Sequence, residues 1–282
     1  MISIVIPTLN NLKYLQFCIK SIKKNSTFDN EIIIHVNKGE DGTLEYLKKE
    51  NIKFTFEGVN KAASKATTEY ILYAHDDFYF APEWDKTMID EINKLRHNFF
   101  YFSGTMVQNG QINLDCGNNL ENFDEDKFLN NYKKIQFFDF QGSTWAPHII
   151  HKEIWKKVGG FSEEFFPGTG SDPDLNKKLW DLGVRIFKGL QHSKVYHFGS
   201  IVTRQKEKKF NTKTESGSRG SKIFLIKWGI SIKFFRKYFL KSDTPYYGPL
   251  KDPTKNFIFF FDLILCKLYR LYLQIFFKNL TN

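Results

Sequence analysis

Tyr70-Ile71-Leu72-Tyr73-Ala74-His75-Asp76-Asp77 is a short apolar run that ends on an imidazole and two carboxylates. A run of this length bounded by polar residues reads as a buried strand. The same layout precedes it twice. Residues 2–6 are β-branched apart from Ser3 and stop at Pro7-Thr8-Leu9-Asn10, and residues 31–36 stop at Asn37-Lys38-Gly39-Glu40-Asp41. Helical spacing fills the gaps: Leu12, Leu15, Ile19 and Ile22 within 11–25, then helices over 43–50 and 59–66, with a third strand over 52–56. Strands of about five residues alternating with helices imply βαβ units and a mostly parallel sheet covered on both faces. Ligands of such sheets bind beyond the carboxyl ends of the strands, so the three polar clusters are the places to look for chemistry.

Further along, the pattern predicts a helix over 82–96 with Pro82 in its first turn, a strand over 99–107, and a polar, irregular excursion over 108–140. The chain is expected to rejoin the sheet over 142–151, followed by helices over 152–158 and 174–182 and late strands over 184–187 and 194–197. Residues 203–221 are rich in Lys, Ser and Gly and read as a linker.

Charge divides the chain in two. Residues 1–200 hold 24 Lys+Arg against 26 Asp+Glu; residues 201–282 hold 17 against 5, and the balances of −2 and +12 sum to the net +10. The first part has the composition of an enzyme core and the second that of an attachment. Cys18, Cys116 and Cys266 are isolated and odd in number, which excludes a disulfide framework or a cysteine zinc site and fits a reducing cytoplasm. Residues 1–7 lack a basic n-region, so no signal peptide is expected.

Two adjacent carboxylates at a strand end disfavour joint ionisation unless they meet something positive. A hard divalent ion bound by one of them together with phosphate oxygens provides it; a solvated Asp pair in a turn is the alternative. The wider context is more specific. Ser3-Ile4-Val5-Ile6-Pro7-Thr8-Leu9-Asn10, Asp41-Gly42-Thr43, Asn60-Lys61-Ala62-Ala63, the strand ending at Asp77, Val158-Gly159-Gly160-Phe161-Ser162-Glu163 and Gly170-Ser171-Asp172-Pro173-Asp174-Leu175 follow one another in an order that resembles family 2 glycosyltransferases, over roughly residues 1–200.

That resemblance implies a GT-A fold, α/β with a Rossmann-like sheet, and an inverting enzyme that moves a sugar from a UDP- or GDP-type donor to a glycan or lipid-linked acceptor. It implies Mn²⁺ or Mg²⁺ held by Asp77, with His197 at the metal or diphosphate. Asp76 is expected near the ribose and diphosphate, and Pro7, Thr8, Asn10, Asn37 and Asn60 around the nucleotide. Asp172 is expected as general base, with Asp174 as the helix cap. The sequence departs from the family pattern at His75, Asn37 and Ser171, where Asp, Asp and Glu are usual. Two rivals follow: a nucleotide- or glycan-binding module without turnover, and a nucleotidyltransferase, although the Gly-rich phosphate loop of the latter is missing near residue 10. The expected organisation is a catalytic domain over 1–202 (donor half about 1–107, acceptor half about 141–202), the linker 203–221, and a helical extension over 222–282.

In the extension, residues 222–241 interleave cations with large apolar side chains. Residues 256–278 carry Lys267, Arg270, Gln274 and Lys278 as one narrow stripe on an otherwise apolar helix. Interfacial helices against an anionic membrane surface are expected, and no nucleic acid, because the cations come with bulky aliphatics and no recognised motif. Packing of these helices on the catalytic domain or on another subunit is the alternative. The implied setting is cytoplasmic, peripheral on the inner face of a membrane.

Overall fold

A computed structural model describes residues 1–135, 138–166, 168–199 and 215–276. The chain alternates as expected at first: β1 (Ser3–Leu9), α1 (Leu12–Asn25), β2 (Glu31–Lys38), α2 (Thr43–Lys49), β3 (Lys53–Thr55), α3 (Val59–Ser64) and β4 (Tyr70–Tyr73). There follow β5 (Phe78–Phe80), α4 (Trp84–Asn93), β6 (Phe100–Val107), α5 (Glu125–Asn131), β7 (Phe140–Gln141), β8 (His148–His151), α6 (Lys152–Val158), α7 (Ser171–Asp181) and β9 (Ile186–His197). The C-terminal helices are α8 (Glu215–Trp228), α9 (Ile232–Phe234, continuing as a π-helical stretch, Phe235–Leu240) and α10 (Phe257–Phe276).

One sheet runs in the order β3-β2-β1-β4-β8-β6-β9-β5, with β7 on β9. Strands β3, β2, β1 and β4 are mutually parallel, as are β6 and β9; β8 runs against both of its neighbours, and β5 and β7 run against β9. The alternation of side chains across the pleat divides the core. Ile4, Ile6, Ile34, Leu72 and Ile149 face α1, α2 and α4, whereas Val5, Ile33, Ile71 and Ile150 face α3, α6 and α7. The second face also takes Ile223, Phe224, Phe235, Leu240, Phe259 and Leu273 from the C-terminal helices into the same cluster. At fully buried positions each such side chain contributes roughly 1.5–3 kcal/mol.

Several expectations are revised. Helix α4 starts at Trp84, not at Pro82, because Glu83 adopts φ 62° just before it. The two late strands are one strand, β9, whose pairing with β6 shifts register after Gly104. The excursion after β6 is not merely polar: Ile112, Cys116, Phe128 and Tyr132 pack with Tyr79, Tyr196 and Phe198 in a third cluster. Its acidic group has structural uses, since Asp124 caps α5 and Glu125 accepts from Lys24 and from the Tyr79 hydroxyl. Helix α8 begins at Glu215, inside the stretch expected as linker; residues 203–214 lie outside the described residues, as does Lys278.

Candidate active site

The site is built at the carboxyl ends of β1, β2, β4 and β9. Register places Thr8 of β1 opposite Val36 of β2, and Val5 opposite Tyr73 of β4. The chain leaves all three strands on one rim. Just past β4, the Thr8 hydroxyl donates to Asp76 Oδ2 at 2.7 Å, and the Asn37 amide donates to the Thr8 carbonyl at 3.3 Å. Asn10 is in left-handed geometry (φ 46°) and pairs with Glu40 in both directions, while Asp41 accepts the Leu12 amide at the start of α1. Thr8 is thereby brought onto Asp76 and Asn37 onto Thr8, while Pro7 precedes Thr8 in β1 and Asn10 is engaged by Glu40 just past the end of β2. Asn60 is not among them. Its amide is taken up by Phe161, donating to the carbonyl at 2.7 Å and accepting the amide at 2.8 Å, so it clamps α3 to the Gly159-Gly160-Phe161 turn.

Both carboxylates are nearly sealed, at 8% exposure for Asp76 and 4% for Asp77. Burial, and then the neighbouring Asp77, push the Asp76 carboxyl up to about 7, whereas burial takes His75 down to about 4. Antiparallel pairing of β5 with β9 sets Phe78 opposite His197 and so delivers His197 to this corner. His197 Nε2 lies 3.6 Å from Asp77 Oδ2, and one ligand atom from each of His75, Asp77 and His197 falls within 4.8 Å of the others. His197 Nδ1 sits 3.1 Å from the Asn109 carbonyl, and Nε2 is buried without a hydrogen-bond partner. With Nδ1–H donating to that carbonyl, the Nε2 lone pair faces the cluster, which is the second-shell arrangement of a metal-binding imidazole. The residues present therefore fit a divalent cation.

Asp172 lies in the first turn of α7, behind Gly170, whose φ of 87° needs glycine. Its side chain keeps 27% exposure, but Oδ1 is buried, unpartnered and 3.9 Å from His148 Nδ1. Burial raises the Asp172 carboxyl to about 7 and lowers His148 to about 3. Asp174 is not the cap. It is fully buried, accepts from Ser162 Oγ at 2.6 Å and Trp228 Nε1 at 2.8 Å, and pairs with Lys227 at 2.9 Å, which ties α7 to α8.

Tyr73 connects the two sides. Burial raises its hydroxyl pKa, and Asp172, Asp76 and Asp77 raise it further. Its ring meets His75, His148 and Phe161 at centroid distances of 5.6, 5.3 and 4.8 Å. Tyr73 and His148 face each other in register across β4 and β8. Sequence reasoning missed both; only the β4–β8 pairing, which is non-local and antiparallel, could have revealed them. Trp145 is half-buried, with its indole N–H on the Gly104 carbonyl.

A mixed α/β sheet of this order, covered by helices on both faces, is the fold of GT-A glycosyltransferases. Two solved structures share the fold. TarS 1-349 of S. aureus aligns at TM-score 0.52 with 17% identity over 78% of this chain and 68% of that one; a structure of the same protein contains UDP-GlcNAc. GalNAc-T7 with UDP, GalNAc and Mn²⁺ aligns at TM-score 0.54 with 15% identity over 84% of this chain and 54% of that one. The chain spans 42% of the longer TarS chain. No curated protein matches the sequence. The profile of glycosyl transferase family 2 matches residues 3–148, more than half of the chain, and the chain belongs to that family. Asp172 and His197 lie beyond the matched span.

Proposed function

We propose that the chain is an inverting, metal-dependent glycosyltransferase that moves a sugar from a UDP- or GDP-type donor to a hydroxyl of a glycan or lipid-linked acceptor. The observation that carries this reading is the pair of carboxylate groups on either side of Tyr73: Asp76-Asp77 with His197 on the sheet rim, and Asp172 on α7. The UDP-GlcNAc in a TarS structure and the UDP and GalNAc in that of GalNAc-T7 support a donor of this class, and the Mn²⁺ in the latter supports a metal.

In this reading Pro7, Thr8, Asn10 and Asn37 border the nucleotide, and Thr8 holds Asp76 in place towards the ribose and diphosphate. Mn²⁺ or Mg²⁺ held by Asp77 and His197 would supply Lewis-acid stabilisation of the departing diphosphate. Asp172 takes the proton of the acceptor hydroxyl as its oxygen attacks the anomeric carbon from the face opposite the diphosphate. Its raised pKa suits a base working near neutrality. The setting we propose is cytoplasmic, peripheral on the inner face of a membrane, and is supported by the basic, aromatic C-terminal part.

A thermal-shift panel of UDP, GDP, CDP and dTDP with and without Mn²⁺ tests the reading. A ligand at a hundred times its dissociation constant adds about 2.7 kcal/mol. One nucleotide is expected to raise the melting temperature in a metal-dependent way, and Asp77→Ala to abolish the shift. Asp172→Asn is expected to keep the shift and lose transfer by roughly 10²–10⁴-fold. No shift with any nucleotide overturns the reading; a shift without transfer by the wild type over an acceptor panel replaces it with a binding module.

A further inference from the structure

Helix α10 carries apolar side chains on both its inner and its outer side. Its buried residues are Phe259, Cys266 and Leu273, and beside them the half-buried Asp262 and Arg270 also face the protein. Asp262 accepts from Lys237 at 2.8 Å and from the Tyr238 hydroxyl at 2.6 Å, and Phe259 packs on Phe234 and Tyr238. The opposite side carries Phe257, Ile258, Phe260, Phe261, Ile264, Leu265, Leu268, Tyr269, Leu271, Tyr272, Ile275 and Phe276, all exposed, with Phe257 at 83% and Leu268 at 60%. At 100° per residue these twelve occupy about half the circumference with no charge among them. Lys267 and Gln274 lie along one margin of this arc. A soluble surface rarely leaves so large an apolar patch open, and no helix among the described residues is long and apolar enough to cross a membrane.

We infer that this arc is the surface by which the protein lies on an anionic lipid bilayer, with α10 in the plane of the interface. Two observations select lipid. An open cleft beside α10 is lined by Lys233, Arg236, Lys237 and Lys241, with Asp243 the one acid in its lining, and the Lys237–Asp262 pair joins the cleft to the helix. Cations beside an exposed apolar face are what anionic headgroups above acyl chains recognise. The same layout opposes self-association: a two-fold dimer through this patch would set the cationic clefts of both copies near each other, and the arc is far wider than the narrow seam that pairs two helices. The inference gives a specific surface and lipid charge to the peripheral placement proposed above, on which it rests. It does not depend on the sugar-transfer chemistry.

Flotation of the full chain with vesicles of phosphatidylcholine, or of phosphatidylcholine with phosphatidylglycerol, is the test. Binding is expected to the anionic vesicles only, and to weaken as salt rises. Lys233→Gln with Lys241→Gln removes two cations, each worth about 5-fold in partition, so roughly 25-fold is expected to be lost. Ile264→Glu with Leu268→Glu is expected to abolish flotation while leaving the melting temperature and any nucleotide-induced shift unchanged, because both side chains are solvent-facing. Flotation that survives the Glu pair overturns the inference. So does a dimer in light scattering that the Glu pair dissociates without any vesicle binding, which would assign the arc to a second copy. A lost nucleotide shift with intact flotation would count against the transferase reading and leave this one standing.

Discussion

Helix α1 lays Leu15, Cys18, Ile19 and Ile22 on the sheet and points Lys13, Gln16, Lys20, Lys23 and Lys24 outward. Helix α10 also buries apolar side chains, Phe259, Cys266 and Leu273, but it holds Asp262 and Arg270 beside them and presents a dozen aromatic and aliphatic side chains outward. Helix α1 has a polar and an apolar side, whereas α10 has an apolar outer arc and a mixed inner side. The difference is what the charged groups meet: water in α1; Lys237, Tyr238 and the Gly229 turn for Asp262 and Arg270 in α10. An inward carboxylate is tolerated where it is paired, and amphipathicity gives the existence of two faces without saying which one the protein keeps.

The largest contrast comes from making one substitution in both helices. Leu15→Lys puts an unpaired ammonium at a fully buried position and is expected to unfold the protein, a loss of more than about 4 kcal/mol. Leu268→Lys, at 60% exposure, is expected to change stability by no more than about 0.5 kcal/mol. Urea denaturation of the two variants side by side measures this. If Leu268→Lys is as damaging as Leu15→Lys, α10 is packed on both sides and the contrast is lost.

Helix α8 provides an intermediate case, because it is C-terminal like α10 but is built into the core. Removing the Lys227 ammonium leaves the fully buried Asp174 with Trp228 and Ser162 as its hydrogen-bond donors and Lys178 at 3.8 Å. Loss of one partner of a fully buried pair costs about 3–5 kcal/mol. Lys227 retains 27% exposure, so solvent screening reduces the expected cost of Lys227→Met to about 2–3 kcal/mol. In a double-mutant cycle, Asp174→Asn is expected to recover part of it. Additive costs would mean that α8 is not coupled to α7 through this pair.

The legible parts of the chain were the local ones. Strand runs and helical spacing over the first 74 residues and the strand-end clusters, Asp76-Asp77 among them, stand in short patterns that physics reads within one or two turns, whereas Asp172 was singled out by the family resemblance. Tyr73 and His148 became visible only through the β4–β8 pairing, which joins residues 75 positions apart. Asp174 reads as a cap because Asp in a helix's first turn suits one; its partners, Trp228 and Lys227, come from more than fifty residues downstream. The stripe Lys267, Arg270, Gln274 was visible in α10, but Arg270 points inward and Lys267 marks an edge, an orientation fixed by α9.

The smallest effect concerns the inward carboxylate that has no such partner. Asp262 is held below the usual carboxylate range by hydrogen bonds from Lys237 and Tyr238, whereas burial lifts Asp172 to about 7. A carboxyl whose pKa is higher in the folded than in the unfolded chain contributes stability while protonated. That contribution is complete below the unfolded value near 4 and is lost as pH rises through about 7. The ligand-free protein is therefore expected to lose on the order of 1–2 kcal/mol between pH 5 and pH 8 through this group, with its partial exposure reducing the full linkage. Asp172→Asn, neutral throughout, is expected to flatten that part of the profile and to overtake the wild type above about pH 7. Melting curves across this range measure the effect. Parallel profiles for the two proteins would mean that Asp172 ionises freely, as a solvated helix-start residue does, and would remove the tuned pKa from the case for its role as base.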